Sequence, residues 1–184
     1  MSRIRYIGVL ALLLVSVSAF GQKFSVSTNI VGYMNLGTMN MEVSYAPVRH
    51  WSLTAQAKYN PFSFKISGRP VRNRQQAYSV GARFWPWHIY SGWWVAAKLQ
   101  YQEYSTGGIL SRKTEEGDRW GAGLTAGYTY MIHPRVNLEF GLGFWTGVKK
   151  YAAYDSPVCG LTVESGLKAF ILPNDIIIAV SYVF

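Results

Sequence analysis

Residues 120–130 read WGAGLTAGYTY. Trp120, Ala122, Leu124, Ala126, Tyr128 and Tyr130 alternate with Gly121, Gly123, Thr125, Gly127 and Thr129. A strand sends successive side chains to opposite faces, so this period of two predicts a strand with two different surroundings. One face is apolar and ends in aromatics. The other holds only glycine and threonine, which suits a crowded interior.

The same alternation recurs along the chain. It predicts strands over Phe24–Ile30, Thr38–Tyr45, Trp51–Tyr59, Tyr78–Phe84, Trp93–Gln102, Val136–Phe144 and Ile176–Phe184, which with Trp120–Tyr130 makes eight. The connections Ala46–His50, Pro86–Ser91 and Ile132–Arg135 are short; Pro61–Gln76, Ser105–Asp118 and Lys149–Ala169 are long. The first connection, near Asn35–Gly37, is the exception on the long side. Leu161, Val163, Leu167 and Ala169 alternate as well, but an even strand count leaves them in the last loop. No segment after residue 21 reads as helix. Eight strands of about ten residues, with short turns at one end and long loops at the other, predict an eight-stranded antiparallel transmembrane up-and-down β-barrel over residues 22–184.

Composition narrows the class. Of 184 residues, 49% are apolar, 16% aromatic and only 15% charged. This excludes a disordered tail, a collagen and a coiled coil. The single Cys159 excludes an internal disulfide framework. Residues 1–21, MSRIRYIGVLALLLVSVSAFG, combine Arg3 and Arg5 with an uncharged run and small residues before Gln22, the layout of a cleavable signal peptide. Its apolar run falls short of the roughly 20 residues a spanning helix needs. The remaining 163 residues carry a net charge of +7.

Alternation alone leaves open which face is outside. A soluble lipocalin-like periplasmic carrier also alternates, with its apolar face inward. The membrane reading is favoured because the apolar face carries no charge across the strand centres. The polar face is small and glycine-rich, as a narrow lumen requires. Aromatics also collect at strand ends: Trp51, Trp85, Trp87 and Trp93 near the short turns, and Tyr59, Tyr78, Tyr101, Trp120 and Trp145 near the long loops.

Several segments carry a resemblance: Phe24–Gly37, Val43–Ala57, Arg83–Trp85, Gly141–Gly147, Pro157–Gly160 and Leu172–Asp175 leading into the last strand. Through them the chain resembles an uncharacterised Bacteroidetes family of small outer-membrane β-barrels, OmpA/OmpX-like in plan. The resemblance implies residence in the Gram-negative outer membrane. It also implies delivery by the barrel insertion machinery, which would read Tyr182 and Phe184 at the end of the last strand. Members tend to carry a second cysteine just before Pro157; here that position is Ser156, which removes a paired-cysteine loop.

The polar face offers Glu42, Lys58, Arg83, Lys98 and Glu139. Unpaired charge in a narrow lumen is costly, so these are expected to form a mixed-sign network that plugs the barrel. Glu42 and Lys58, on one hairpin, are expected near pairing distance. A gated ion path is the functional alternative. The second long loop holds Lys65, Arg69, Arg72 and Arg74 with no acid, a pattern suited to lipopolysaccharide phosphates or other anionic surface groups.

Enzymes of this membrane need a nucleophile with its base at the rim. His50, His88 and His133 all fall in short turns, so no catalytic residue, cofactor or metal site is expected. The run Glu115-Glu116-Gly117-Asp118 reads as a solvated loop tip rather than a calcium site. The reading is a non-enzymatic outer-membrane barrel that meets outer-membrane lipid and presents loops to a surface or fimbrial protein. The alternative from another class is a lipid-modifying enzyme. Export and the lack of aromatic interleaving argue against nucleic acid.

Overall fold

A computed structural model describes residues 23–66, 69–107, 113–155 and 162–184. The proposed signal peptide, Ser156 and Cys159 lie outside the described residues. The elements in chain order are β1 (Phe24–Asn29), α1 (Ile30–Met34), β2 (Met39–Val48), β3 (Trp51–Asn60), β4 (Ser63–Ile66), β5 (Arg69–Phe84), β6 (Gly92–Gly107), β7 (Lys113–His133), β8 (Val136–Asp155) and β9 (Thr162–Val183). All pairings are antiparallel between chain neighbours, β9 pairs β1, and β3 pairs β5, which closes the sheet. The extra strand β4 continues β3. Asn60 faces Gln75 and Ser63 faces Arg72, so the same register resumes after Pro61, which has no amide to give. The barrel therefore has eight staves.

Its faces are sorted as the alternation predicts, with the apolar set outward. Leu99 is 64% exposed and Leu142 69%, while Ser52, Thr129, Asn137 and Ser181 are fully buried. Between the aromatic rows the outward residues of β5, β6 and β7 are Val80, Ala82, Val95, Ala97, Leu99, Ala122, Leu124 and Ala126, with no charge among them. Tyr78, Tyr101 and Trp120 are direct cross-strand partners and form one aromatic row. Trp93 and Tyr128 pair in the other row, their ring centroids 5.3 Å apart. Trp93 to Tyr101 and Trp120 to Tyr128 are eight residues each. At about 3.3 Å per residue that is roughly 26 Å of strand.

The structure departs from the sequence reading in four places. First, the β1–β2 connection contains a helix, α1, where none is expected. Asn29 caps it by accepting from the Val31 amide at 3.1 Å, and Gly37, with φ at 77°, turns the chain back. Second, most of each expected long loop is strand. β7, β8 and β9 run for 21, 20 and 22 residues, against the 9–11 that cross a bilayer. Third, Leu161–Ala169 is no loop where described: from Thr162 it is the first half of β9, paired to β8. Fourth, Trp85 and Trp145 leave the aromatic rows. They occupy the inward parity of their strands and are buried, as is Trp94.

Candidate functional site

The lumen is where the polar residues converge. Arg83 projects inward from β5 and bridges two carboxylates. Its Nη2 donates to Glu42 Oε1 at 2.7 Å and its Nη1 to Glu139 Oε2 at 2.8 Å. Arg83 and Glu139 are buried, at 5% and 3% side-chain exposure, and Glu42 is part-buried. The guanidinium lies 4.1 Å from the ring centroid of Trp94 and 5.6 Å from that of Trp85. Both indoles are anchored: Trp85 Nε1 donates to Ser52 Oγ and Trp94 Nε1 to Thr129 Oγ1, each at 3.0 Å. Below them Tyr90 crosses the short-turn end, its hydroxyl donating to the Lys23 carbonyl at 3.0 Å. Open space beside Arg83 is about 10 Å³, room for one water at most. This end of the barrel is plugged.

Glu42 and Lys58 are diagonal neighbours on the β2–β3 hairpin, near pairing distance as the sequence leads one to expect. Glu42 stands opposite Gln56 and bonds Arg83, while Lys58 stands opposite Asn40 one layer further from the short turns. Arg83 reaches Glu42 from the neighbouring wall. Lys98 lies opposite Gly81 and Gly123, where glycines leave room for its chain. Lys58 lines a cavity of about 300 Å³ with Asn40, Gln75 and Gln100. Sequence reasoning missed Trp94. Its even number places it on the face of Lys98 and Gln100, and that parity was the available signal.

Beyond the row of Tyr101 and Trp120 sits a second charged cluster. Glu115 accepts from Lys149 Nζ at 2.7 Å and from the Tyr104 hydroxyl, with Arg119 Nη2 at 3.8 Å. Arg119 also stacks on the Tyr104 ring at 3.5 Å. Burial opposes ionisation of Glu115. The hydrogen bonds from Lys149 and Tyr104, with the charges of Lys149 and Arg119, outweigh it and hold the carboxyl below its ordinary value. Burial, with the Glu115 hydrogen bond, pushes the Tyr104 phenol up to about 12. The acidic run is therefore no solvated tip. Glu115 points in and Glu116 accepts from Ser105 at 2.8 Å, both from within β7.

The basic loop is a hairpin. Lys65 pairs in register with Pro70, Arg69 with Ile66, Arg72 with Ser63 and Arg74 with Ser105. The four cationic positions thus share one strand pair past the aromatic row. Arg72 is half-exposed and meets Glu116 at 3.3 Å. The three histidines stay apart. His50 Nδ1 bonds the Trp85 carbonyl at 2.8 Å, His88 bridges to Ser91, and His133 accepts from the Arg135 amide. Among the described residues no group of three or more His, Cys, Asp or Glu could hold a metal ion.

A family model described as Protein of unknown function (DUF3575) matches residues 7–184, and the chain belongs to that family. No curated protein matches the sequence.

Proposed function

We propose that this DUF3575 chain is a non-enzymatic integral protein of the outer membrane, whose barrel is a rigid mount for a surface-facing sheet. The observation that carries the reading is the uncharged apolar band on the outside of the barrel, bounded by two aromatic rows. Soluble monomers rarely expose contiguous apolar patches beyond a few hundred Å². A lipocalin-like carrier would need this band inward, around its ligand. Among the described residues no helix is long and apolar enough to cross a membrane, and a closed barrel crosses with strands instead.

The extensions of β5 to β9 supply the interaction surface. Among the described residues, β4 past Asn60 has one partner strand, and so does β9 from Ala179 towards Thr162. The projecting sheet therefore has two open edges, which can accept a strand from a surface or fimbrial protein. The hairpin of Lys65, Arg69, Arg72 and Arg74 favours anionic glycolipid, including lipopolysaccharide phosphates. Tyr182 and Phe184, whose rings meet at 4.8 Å, are the residues expected to engage the insertion machinery.

The band has a direct test. The chain is reconstituted in vesicles of brominated phosphatidylcholine, and tryptophan fluorescence is compared between the wild type and a variant with Trp51, Trp93 and Trp120 each changed to Phe. Those three are outward, and contact with brominated chains should quench them strongly. The variant, keeping the interior Trp85, Trp94 and Trp145 and the turn residue Trp87, should be quenched far less. Equal quenching in both would reject the lipid-facing band.

A further inference from the structure

The wall of the barrel is not closed over its full height. β1 has six residues and β9 has 22, and their ladder ends at Asn29 opposite Ala179. The Asn29 side chain makes the next two bonds in place of a strand. Its Nδ2 donates to the Ile176 carbonyl at 2.9 Å and its Oδ1 accepts from the Ile178 amide at 3.2 Å. Three residues on comes Pro173, at a register shift and without an amide to offer. Proline in sheets is confined to edges and bulges, and both hold here. From that point α1 stands where a strand would pair, with no residue of its own buried. Ile30 and Met34 on α1 and Ile171 and Ile176 on β9 are exposed around the seam.

The cavity above the plug reaches this seam. Val31, Pro173 and Ile176 line its wall side, and Lys58, Gln75 and Gln100 line its inner side. Apolar side chains thus occur on the wall side, beside the Asn29 amide, and the inner side is cationic and amide-rich. At about 300 Å³ the cavity is at the small end of ligand sites. That suits one carboxylate head with its first methylenes, and is too small for a two-chain phospholipid.

We propose that the α1–β9 seam is a lateral portal through which a single-chain alkyl carboxylate enters head first from the bilayer, its head held by Lys58 and the neighbouring amides. The proposal rests on the membrane reading above, since the chain's tail stays among the lipids.

The test uses the whole chain folded into phosphatidylcholine vesicles and palmitic acid carrying a diazirine near its carboxyl end. After irradiation the labelled peptides are mapped by mass spectrometry. Label is expected on the inward-facing Gln75 and Gln100 and on residues 173–176, competed by unlabelled palmitate but not by hexadecanol. Lys58→Gln should lower lumen labelling about tenfold, the size of one lost charge-assisted contact. Ala77→Trp, which fills the cavity, should abolish it. Label found only on outward residues such as Val80, Leu99 and Leu124 would overturn the portal, as would labelling unchanged in Lys58→Gln. A gel-mobility check reports folding of every sample. Wild type that inserts yet shows no lumen label removes the portal and leaves the membrane reading intact; wild type that never inserts removes both.

Discussion

Arg83 holds the buried Glu139 and the part-buried Glu42, so its removal takes the shared guanidinium from both carboxylates. Breaking a buried pair in this way costs about 3–5 kcal/mol. Arg83→Met should lower unfolding stability by at least that in urea titrations from vesicles. Adding Glu42→Gln and Glu139→Gln should recover most of the loss, because neither carboxylate is then left without the guanidinium. A triple variant as weak as the single one would contradict the triad account. Glu115 predicts a pH dependence with a definite sign. Its folded-state value is depressed, so its contribution is present above its unfolded value and lost as pH falls through the folded one. Tyr104 acts at the other end. Its value is raised to about 12, so its contribution holds below about pH 10 and is lost between there and 12. Glu115→Gln should flatten the acid limb of stability against pH; an unchanged limb would place the titration elsewhere. At this scale the sequence was informative about which residues face inward, since parity alone put Glu42, Lys58, Arg83, Lys98 and Glu139 on one face. The partner of Glu42 was not legible. Pairing across the lumen depends on how far each strand is staggered, and alternation carries no stagger.

At the scale of elements, size complementarity fixes the plug. A Cβ on Gly127 would lie closest to the Phe140 carbonyl oxygen and 2.5 Å from Trp94 Cζ2, and one on Gly141 3.0 Å from Trp94 Cη2. The glycines of β7 and β8 that read as small-residue filler are the socket of one indole. Gly127→Val should therefore destabilise by about 1–3 kcal/mol or more through overpacking, and Trp94→Ala by about 3–5 kcal/mol through a cavity. Unfolding midpoints measured for both variants check this; a neutral Gly127→Val would mean that Trp94 can move aside. The number and order of staves were legible because each carries at least three alternating pairs. Their lengths were not. Past the aromatic rows polar residues occupy both faces, as with Glu115 and Glu116, and the contrast that marks a strand disappears. Pairing to long neighbours holds those segments extended all the same. The helix α1 was hidden for a different reason. It is five residues long, too short to display a 3.6-residue period, and its Ile30 also fits the alternation of β1.

For the whole molecule, the deciding feature is which face looks out. On the proposed membrane reading, hydrocarbon covers Leu99, Leu142 and Val80 while Arg83, Glu42 and Glu139 stay inside. The plug at the short-turn end predicts that purified protein forms no stable, sizeable channels in planar bilayers; regular conductance steps would contradict it. Neutralising Lys65, Arg69, Arg72 and Arg74 together should weaken retention on lipopolysaccharide-coated beads, with the loss shrinking as salt rises; retention unaffected by the four changes would end the glycolipid role of that hairpin. The most direct test of the central claim is to express the full chain, isolate the outer-membrane fraction, and run it unboiled and boiled on a denaturing gel. An outer-membrane band whose mobility shifts on boiling is the predicted result. A band in the soluble periplasmic fraction that does not shift would contradict it.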